Sequence, residues 1–325
     1  MQEYSGFASV YDMFMDNVPY DKWAKYLHGL LKENGIKSGL VLDLGCGTGS
    51  ITRRLRDKGY DMIGVDISQE MLQIAMEKEV NAEPGKNAEM EVCAGQETVV
   101  EKSEAGNKTV AEVIEKAESG NAEEQQGEIL YLNQDMREFE LYGSVAAIVS
   151  ICDSMNYITE EDDLLKVFRL AENYLDPNGM FIFDMNTEHY YKHVLGEQTI
   201  CENRDEGSFI WDNYYDEESM INEFDMTIYA RMPVNKGNEA DRAAGKGKKN
   251  KSTEAASNGD SEVFARFEEV HEQRAYKLAT VRKLLKKAGF GEIRTYVACT
   301  HDKPTSGTER VYFVAKRIRQ QSPED

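Results

Sequence analysis

The residues that could do chemistry first appear in VLDLGCGTGSITRRL, where an apolar run ends in Asp43 and glycines follow at 45, 47 and 49. Glycines let backbone approach a ligand without Cβ clashes, and a helix starting directly after them, patterned by Ile51 and Leu55, offers unpaired N–H groups. Dinucleotide-binding turns use G-x-G-x-x-G and seat a pyrophosphate. Here the position of the third glycine is Ser50, and Asp43 would repel a pyrophosphate. An acidic residue inside the turn suits a cationic ligand, one carrying an ammonium group.

The elements that position this turn alternate. LVLDLG (40–45), MIGVDI (62–67), ILYLNQD (129–135), VAAIVSIC (145–152) and MFIFDMN (180–186) are short apolar runs, as strands buried on both faces require. Helical spacing lies between them. Ser68 stands at an N-cap position ahead of Met71, Leu72 and Ala75, and Leu164, Phe168, Ala171 and Leu175 form a stripe stopped by Asp176-Pro177-Asn178-Gly179. The pattern predicts an α/β fold, a Rossmann-like doubly wound sheet. From 207 to 275 the period changes to two, predicting an antiparallel β excursion that roofs the substrate pocket. A helix around Leu278 to Ala288, capped by Gly289, and two strands close the chain.

Two stretches break the pattern. Residues 79–128 hold 13 Glu, 4 Lys and no aromatic residue, and 235–262 hold 6 basic and 5 acidic residues without an aromatic or large aliphatic side chain. Neither carries enough apolar area to offset its ordering entropy. Both are expected to be low-complexity insertions in a single domain spanning 1–325. Within the first, Val110, Val113, Ile114 and Ala117 could form a short solvated helix.

Composition narrows the functional classes. The 325 residues carry 59 acidic and 38 basic side chains, a formal charge of -21, which repels nucleic acid. The five cysteines form no C-x-x-C pair, so neither a disulfide framework nor a metal site is expected. No basic flank precedes an apolar run, and no stretch reaches the roughly 20 apolar residues of a membrane helix. The expectation is a cytoplasmic protein with a small-molecule partner and no membrane.

The glycine turn resembles the first motif of class I S-adenosylmethionine-dependent methyltransferases, and the remaining elements follow in that family's order along the ordered chain. The resemblance implies a seven-stranded sheet, mostly parallel with an antiparallel last strand. It implies S-adenosyl-L-methionine as cofactor and S-adenosyl-L-homocysteine as product. In the family, an acidic residue ending the second strand holds both ribose hydroxyls, matching Asp66, and another after the third strand meets the adenine amine, matching Asp135, with Met136 packed beside the ring. Further cofactor contacts then fall on Gly45, Cys46, Gly47, Thr48 and Gly49, on Ile67 and Met71, and on Ile151 and Cys152 of ICDSMNY. Together with FASVYDMFM and the late aromatic strands, the pattern is similar to small bacterial enzymes that methylate small molecules such as amino sugars. Tyr4, Phe7 and Tyr11 would then belong to a lid, Tyr11 being its polar contact.

The acceptor end is marked less sharply. Asp153, Asn156 and Tyr157 follow the fourth strand at the carboxyl edge where open α/β sheets bind ligands. His271 and Arg274 lie on the roof, and Trp211 and Tyr214 could form an aromatic substrate wall or core. Asp153, Tyr157 or His271 could take a proton, with Asn156, Trp211, Tyr214 and Arg274 contacting substrate. The reading is in-line methyl transfer to a nitrogen or oxygen of a small molecule, with no metal. The alternatives are a tRNA or rRNA methyltransferase, favoured by KGKKNK in the second insertion, and a non-catalytic S-adenosylmethionine-binding module.

Overall fold

The computed structural model describes residues 8–82, 90–91, 127–232 and 262–318. Tyr4, Phe7, the 110–117 pattern and KGKKNK lie outside them. Helices α1 (Ala8–Phe14) and α2 (Tyr20–Glu33) precede β1 (Leu40–Leu44), α3 (Ser50–Arg56), β2 (Asp61–Asp66) and α4 (Gln69–Ala82). After the two-residue β3 (Met90–Glu91) come β4 (Ile129–Asn133), β5 (Val145–Ser150), α5 (Glu161–Tyr174) and β6 (Leu175–Asn186). The ending expected from sequence is α6 (Leu278–Ala288), β11 (Phe290–Val297) and β12 (Arg310–Arg317). Ser68 caps α4, its hydroxyl receiving the Met71 N–H at 3.2 Å. Gly289, at φ 118°, closes α6.

The seven expected strands form one sheet in the order β11-β12-β6-β5-β1-β2-β4, and β3 pairs outside β4 as an eighth. β12 runs antiparallel to both of its neighbours, and the remaining pairs are parallel. Burial follows from alternation. Leu42 and Leu44 of β1 pack with α5 and α6 on one face, while Val41 packs with α2 and α3 on the other. The strand order turns around at β1, flanked by β2 and β5, which opens a crevice at the carboxyl ends of the strands.

Helix α4 runs four residues into the stretch assigned to the first insertion. The reason is electrostatic: Glu79 in that last turn pairs with the buried Arg56. The 176–179 turn is absorbed into β6, where pairing to β5 starts at Leu175 and shifts register before Met180; Asn178 there has φ 68°.

The roof is a separate four-stranded antiparallel sheet of β7 (Thr199–Asn203), β8 (Gly207–Asp216), β9 (Ile221–Arg231) and β10 (Phe264–Arg274), in the order β10-β9-β8-β7. Strand β7 is an addition to the sequence reading. Its exposure pattern, with alternate residues exposed, carries too little apolar signal to mark it. The inward faces of β8 and β9 bury Phe209, Tyr215, Phe224, Met226 and Ile228 with Val10 and Phe14 of α1. A reciprocal amide pair, Asn213 to Asn222 at 3.1 Å and back at 2.7 Å, is buried in the same layer.

Candidate functional site

The turn after β1 is held by the neighbouring strand. The Gly45 and Cys46 N–H groups both donate to the Val65 carbonyl, at 2.8 and 3.0 Å. Gly49 is in the left-handed region at φ 72° and begins α3; a Cβ there would lie 2.5 Å from the Tyr131 hydroxyl. Gly47 differs, since a Cβ built on it meets no atom within 4 Å. The backbone is kept bare beside open space, as a cradle for a ligand requires.

Two carboxylates border that cradle. Asp66, at the end of β2, accepts the Gly47 N–H at 2.7 Å and the Ser68 N–H at 2.9 Å. Asp43 is buried and accepts the Thr52 hydroxyl at 2.6 Å. Burial pushes the Asp43 carboxyl up to about 7 against the Thr52 bond, and nearby Asp66 adds to the effect. Burial also raises Asp66, opposed by its backbone N–H bonds. Among the described residues neither has an ion-pair partner, so the pair is short of positive charge. Asp135 differs: burial would raise it, but Arg137 bonds both its oxygens, at 3.0 and 2.9 Å, and holds it below the usual carboxylate range.

Helix α1 is strapped to the turn. Thr48 donates its hydroxyl to Asp12 at 2.7 Å, and Asp12 also pairs with Lys78 of α4. This places Tyr11 in the cavity wall, hydrogen-bonded to Tyr20.

The cavity measures about 500 Å³, within the range of small-molecule sites. Tyr11, Asp43, Gly45, Cys46, Gly47, Thr48, Asp66, Ile67, Met71, Asp135, Met136, Ile151 and Cys152 all line it. Gly49 does not; it stands behind the turn against Tyr131. Tyr157 and His271 line the other end, their rings edge to face with centroids 6.0 Å apart. His271 is buried, and its Nε2 lies 3.2 Å from the Glu269 carboxylate.

The remaining acceptor-end expectations fall elsewhere. Asp153 is absent from the wall because its carboxylate is engaged by Arg310 at 2.6 Å and Gln273 at 2.7 Å. Asn156 is fully buried, tying Asn186 to the Arg274 carbonyl. Arg274 donates to the Thr159 carbonyl at 2.7 Å and stacks 5.0 Å over Tyr276. Trp211 packs edge-on against Phe224 in the roof core, and Tyr214 is 55% exposed on the outer face.

The wall also contains residues the sequence reading passed over, among them Tyr20, Gln134, Arg137, Ser154, Thr159 and Glu272. Gln134 and Arg137 flank Asp135, and proximity to it was their available signal. Glu272 follows His271 and should face away by strand alternation. Because β10 is an edge strand of the roof, the cavity reaches both of its sides.

Known proteins share this fold. The description "Methyltransferase domain" matches residues 41–106, which span the glycine turn, β2 and α4. YqeM of Bacillus subtilis (strain 168), named as a methyltransferase, is 29% identical over 97% of this chain and 98% of its own. A solved S-adenosylmethionine-dependent methyltransferase from Clostridium acetobutylicum is 25% identical, with a TM-score of 0.66 over 97% of this chain and 99% of its own. Together these matches support a class I S-adenosylmethionine-dependent methyltransferase. The fold also matches the sugar N-methyltransferase KedS8 of Streptoalloteichus, at 14% identity and a TM-score of 0.59 over 95% of this chain and 93% of that one. The methyltransferase has a donor set that fits its cofactor: bare backbone at Gly47, the buried Asp43 and half-buried Asp66 carboxylates with no ion-pair partner among the described residues, and apolar Ile67, Met71, Met136 and Ile151 in one wall. Among the described residues, no helix is long and apolar enough to cross a membrane.

Proposed function

We propose that this methyltransferase acts on a nitrogen or oxygen of a small molecule, as a single domain. When bound, S-adenosylmethionine supplies an electrophilic methyl group on a positively charged sulfur. Asp43 meets the ammonium of its amino-acid tail, and Asp66 takes the ribose hydroxyls, two charge-assisted bonds that orient the sugar. Asp135, Ile67, Met71, Met136 and Ile151 surround the base. Tyr11, held by the Asp12–Thr48 strap, closes the cavity from the N-terminal side.

The acceptor enters at the end lined by Cys152, Tyr157 and His271. The protein's task there is to align acceptor, methyl carbon and sulfur and to exclude water, which supplies about 7–11 kcal/mol of barrier reduction in well-oriented reactions. His271 and Tyr157 stand where a proton leaving the acceptor can be taken up. Asp153 has no such access, its oxygens being bonded to Arg310 and Gln273.

One observation carries this reading: the cation-deficient carboxylates Asp43 and Asp66 share a single cavity of about 500 Å³ with Tyr157 and His271. That volume favours a small acceptor once the cofactor is seated. The fold shared with a sugar N-methyltransferase supports the same class. The test is incubation with methyl-labelled cofactor and a deproteinised metabolite extract beside purified RNA. Label in a low-molecular-weight product is expected, and label in RNA alone would refute the small-molecule acceptor.

A further inference from the structure

Where the roof meets the sheet, the structure concentrates features that serve stability poorly. The turn after β5 holds two successive non-glycine residues in the left-handed region, Cys152 at φ 64° and Asp153 at φ 54°. Such residues persist only where the surroundings over-determine them. The Asp153 N–H donates to the fully buried Asp184 of β6 at 2.8 Å. Arg310, at the start of β12, bridges both carboxylates, reaching Asp184 at 2.7 Å and Asp153 at 2.6 Å. Asp184 is fully buried and Asp153 and Arg310 are largely so, so the three give up much of their water, and a cluster of this kind is a weak stabiliser compared with apolar packing.

The cluster's remaining bond points at the roof. The second Asp153 oxygen accepts the Gln273 amide at 2.7 Å, and Gln273 in turn accepts the Tyr191 hydroxyl at 2.8 Å. Gln273 and Tyr191 are both buried. Gln273 stands two residues after His271 on the inward row of β10, and Glu269, two residues before it, holds His271 Nε2. His271 is thus set between a carboxylate on one side and an amide anchored to the sheet on the other.

We infer that Arg310, Asp153 and Gln273 form a clamp that fixes the roof strand over the cavity, and that Asp153 is a positioning residue acting through Gln273. This rests on the reading of His271 as part of the acceptor end. The clamp explains why the two costly features coincide: together they fix the one carboxylate to which the roof strand is tied.

The test uses the full chain with Asp153→Asn, Gln273→Met and the reciprocal double variant Asp153→Asn/Gln273→Glu. Three quantities are read: carbethoxylation of His271 by diethyl pyrocarbonate with His28 of α2 as internal reference, S-adenosylhomocysteine affinity by calorimetry, and methyl transfer to a deproteinised metabolite extract. Each single variant should modify His271 roughly tenfold faster than the wild type, as local opening of a strand end would. Transfer should fall while His28 reactivity and S-adenosylhomocysteine affinity stay unchanged. The double variant should recover, because the amide introduced on the β5 turn can donate to the carboxylate introduced on β10, which still accepts the Tyr191 hydroxyl. If Asp153→Asn does not fold, Gln273→Met gives the same reading. Unchanged His271 reactivity in the single variants overturns the clamp, as does equal acceleration at His28. Loss of S-adenosylhomocysteine affinity in step with transfer also overturns it, by moving Asp153 into the cofactor site. A wild type that fails to bind S-adenosylhomocysteine would strike the cofactor assignment, while the His271 rates would still decide the clamp.

Discussion

At the glycine turn, the groups facing the cavity come from short stretches of chain: Asp43 to Thr48 from one loop, and Asp66 to Met71 from the next. At the acceptor end the wall is assembled across the sequence. The bond from Gln273 to Asp153 joins positions 120 residues apart, and Arg310 reaches Asp153 across 157. The cofactor end is therefore specified by local spacing and backbone conformation, whereas the acceptor end depends on tertiary contacts that hold a roof in register. A local site is disturbed by changing its own residues; a tertiary one can be disturbed from outside the cavity.

Substitutions can break or sharpen that contrast. The largest effect is expected for Asp66→Ala, which removes the acceptor of the Gly47 and Ser68 N–H groups together with the carboxylate proposed to take the two sugar hydroxyls. S-adenosylhomocysteine affinity should fall about a thousandfold, measured by calorimetry, and the melting temperature should drop as the turn loosens. Unchanged affinity would remove Asp66 from the site. Gly49→Ala, next in size, forces a Cβ at φ 72° against the Tyr131 hydroxyl and should cost about 2–4 kcal/mol in urea unfolding. A neutral result would mean that the turn can relax. At the other end, His271→Asn should lower methyl transfer about tenfold or more with cofactor affinity unaltered; a parallel fall in both would erase the distinction between the two ends. The smallest effect belongs to Tyr214→Ser on the outer face of the roof, where neither transfer nor affinity should move.

The same contrast explains what could be read in the sequence. The sheet was legible because strands buried on both faces give continuous apolar runs, and its mostly parallel character follows from strand–helix alternation together with the family resemblance. The residues that line the cavity at the glycine turn were legible because a cradle needs glycines and acids at fixed spacing; Gly49 was the exception, since its requirement comes from Tyr131, far along the chain. Asn156, Arg274 and Trp211 have the side chains of ligand-binding residues but spend them on backbone carbonyls or on core packing, and nothing in their local spacing separates the two uses. Asp153 misled in the same way, because its partners Gln273 and Arg310 are distant in sequence. Tyr20 and Glu272 were missed because a helix start and an edge strand face the cavity only once the roof and α1 are in place.

Under the proposed function, the buried carboxylate of Asp43 receives the ammonium of the cofactor. Burial pushes this carboxyl up to about 7 in the folded chain, so it carries a proton in part of the molecules at pH 7. Placing an ammonium beside it favours the ionised form and expels that proton. Calorimetry of S-adenosylhomocysteine binding at pH 7, in buffers of different ionisation enthalpy, measures the release directly. Net proton release on binding by the wild type, and none by Asp43→Asn with weakened affinity, is the predicted result. Equal affinity and equal proton exchange in the two proteins would contradict the account.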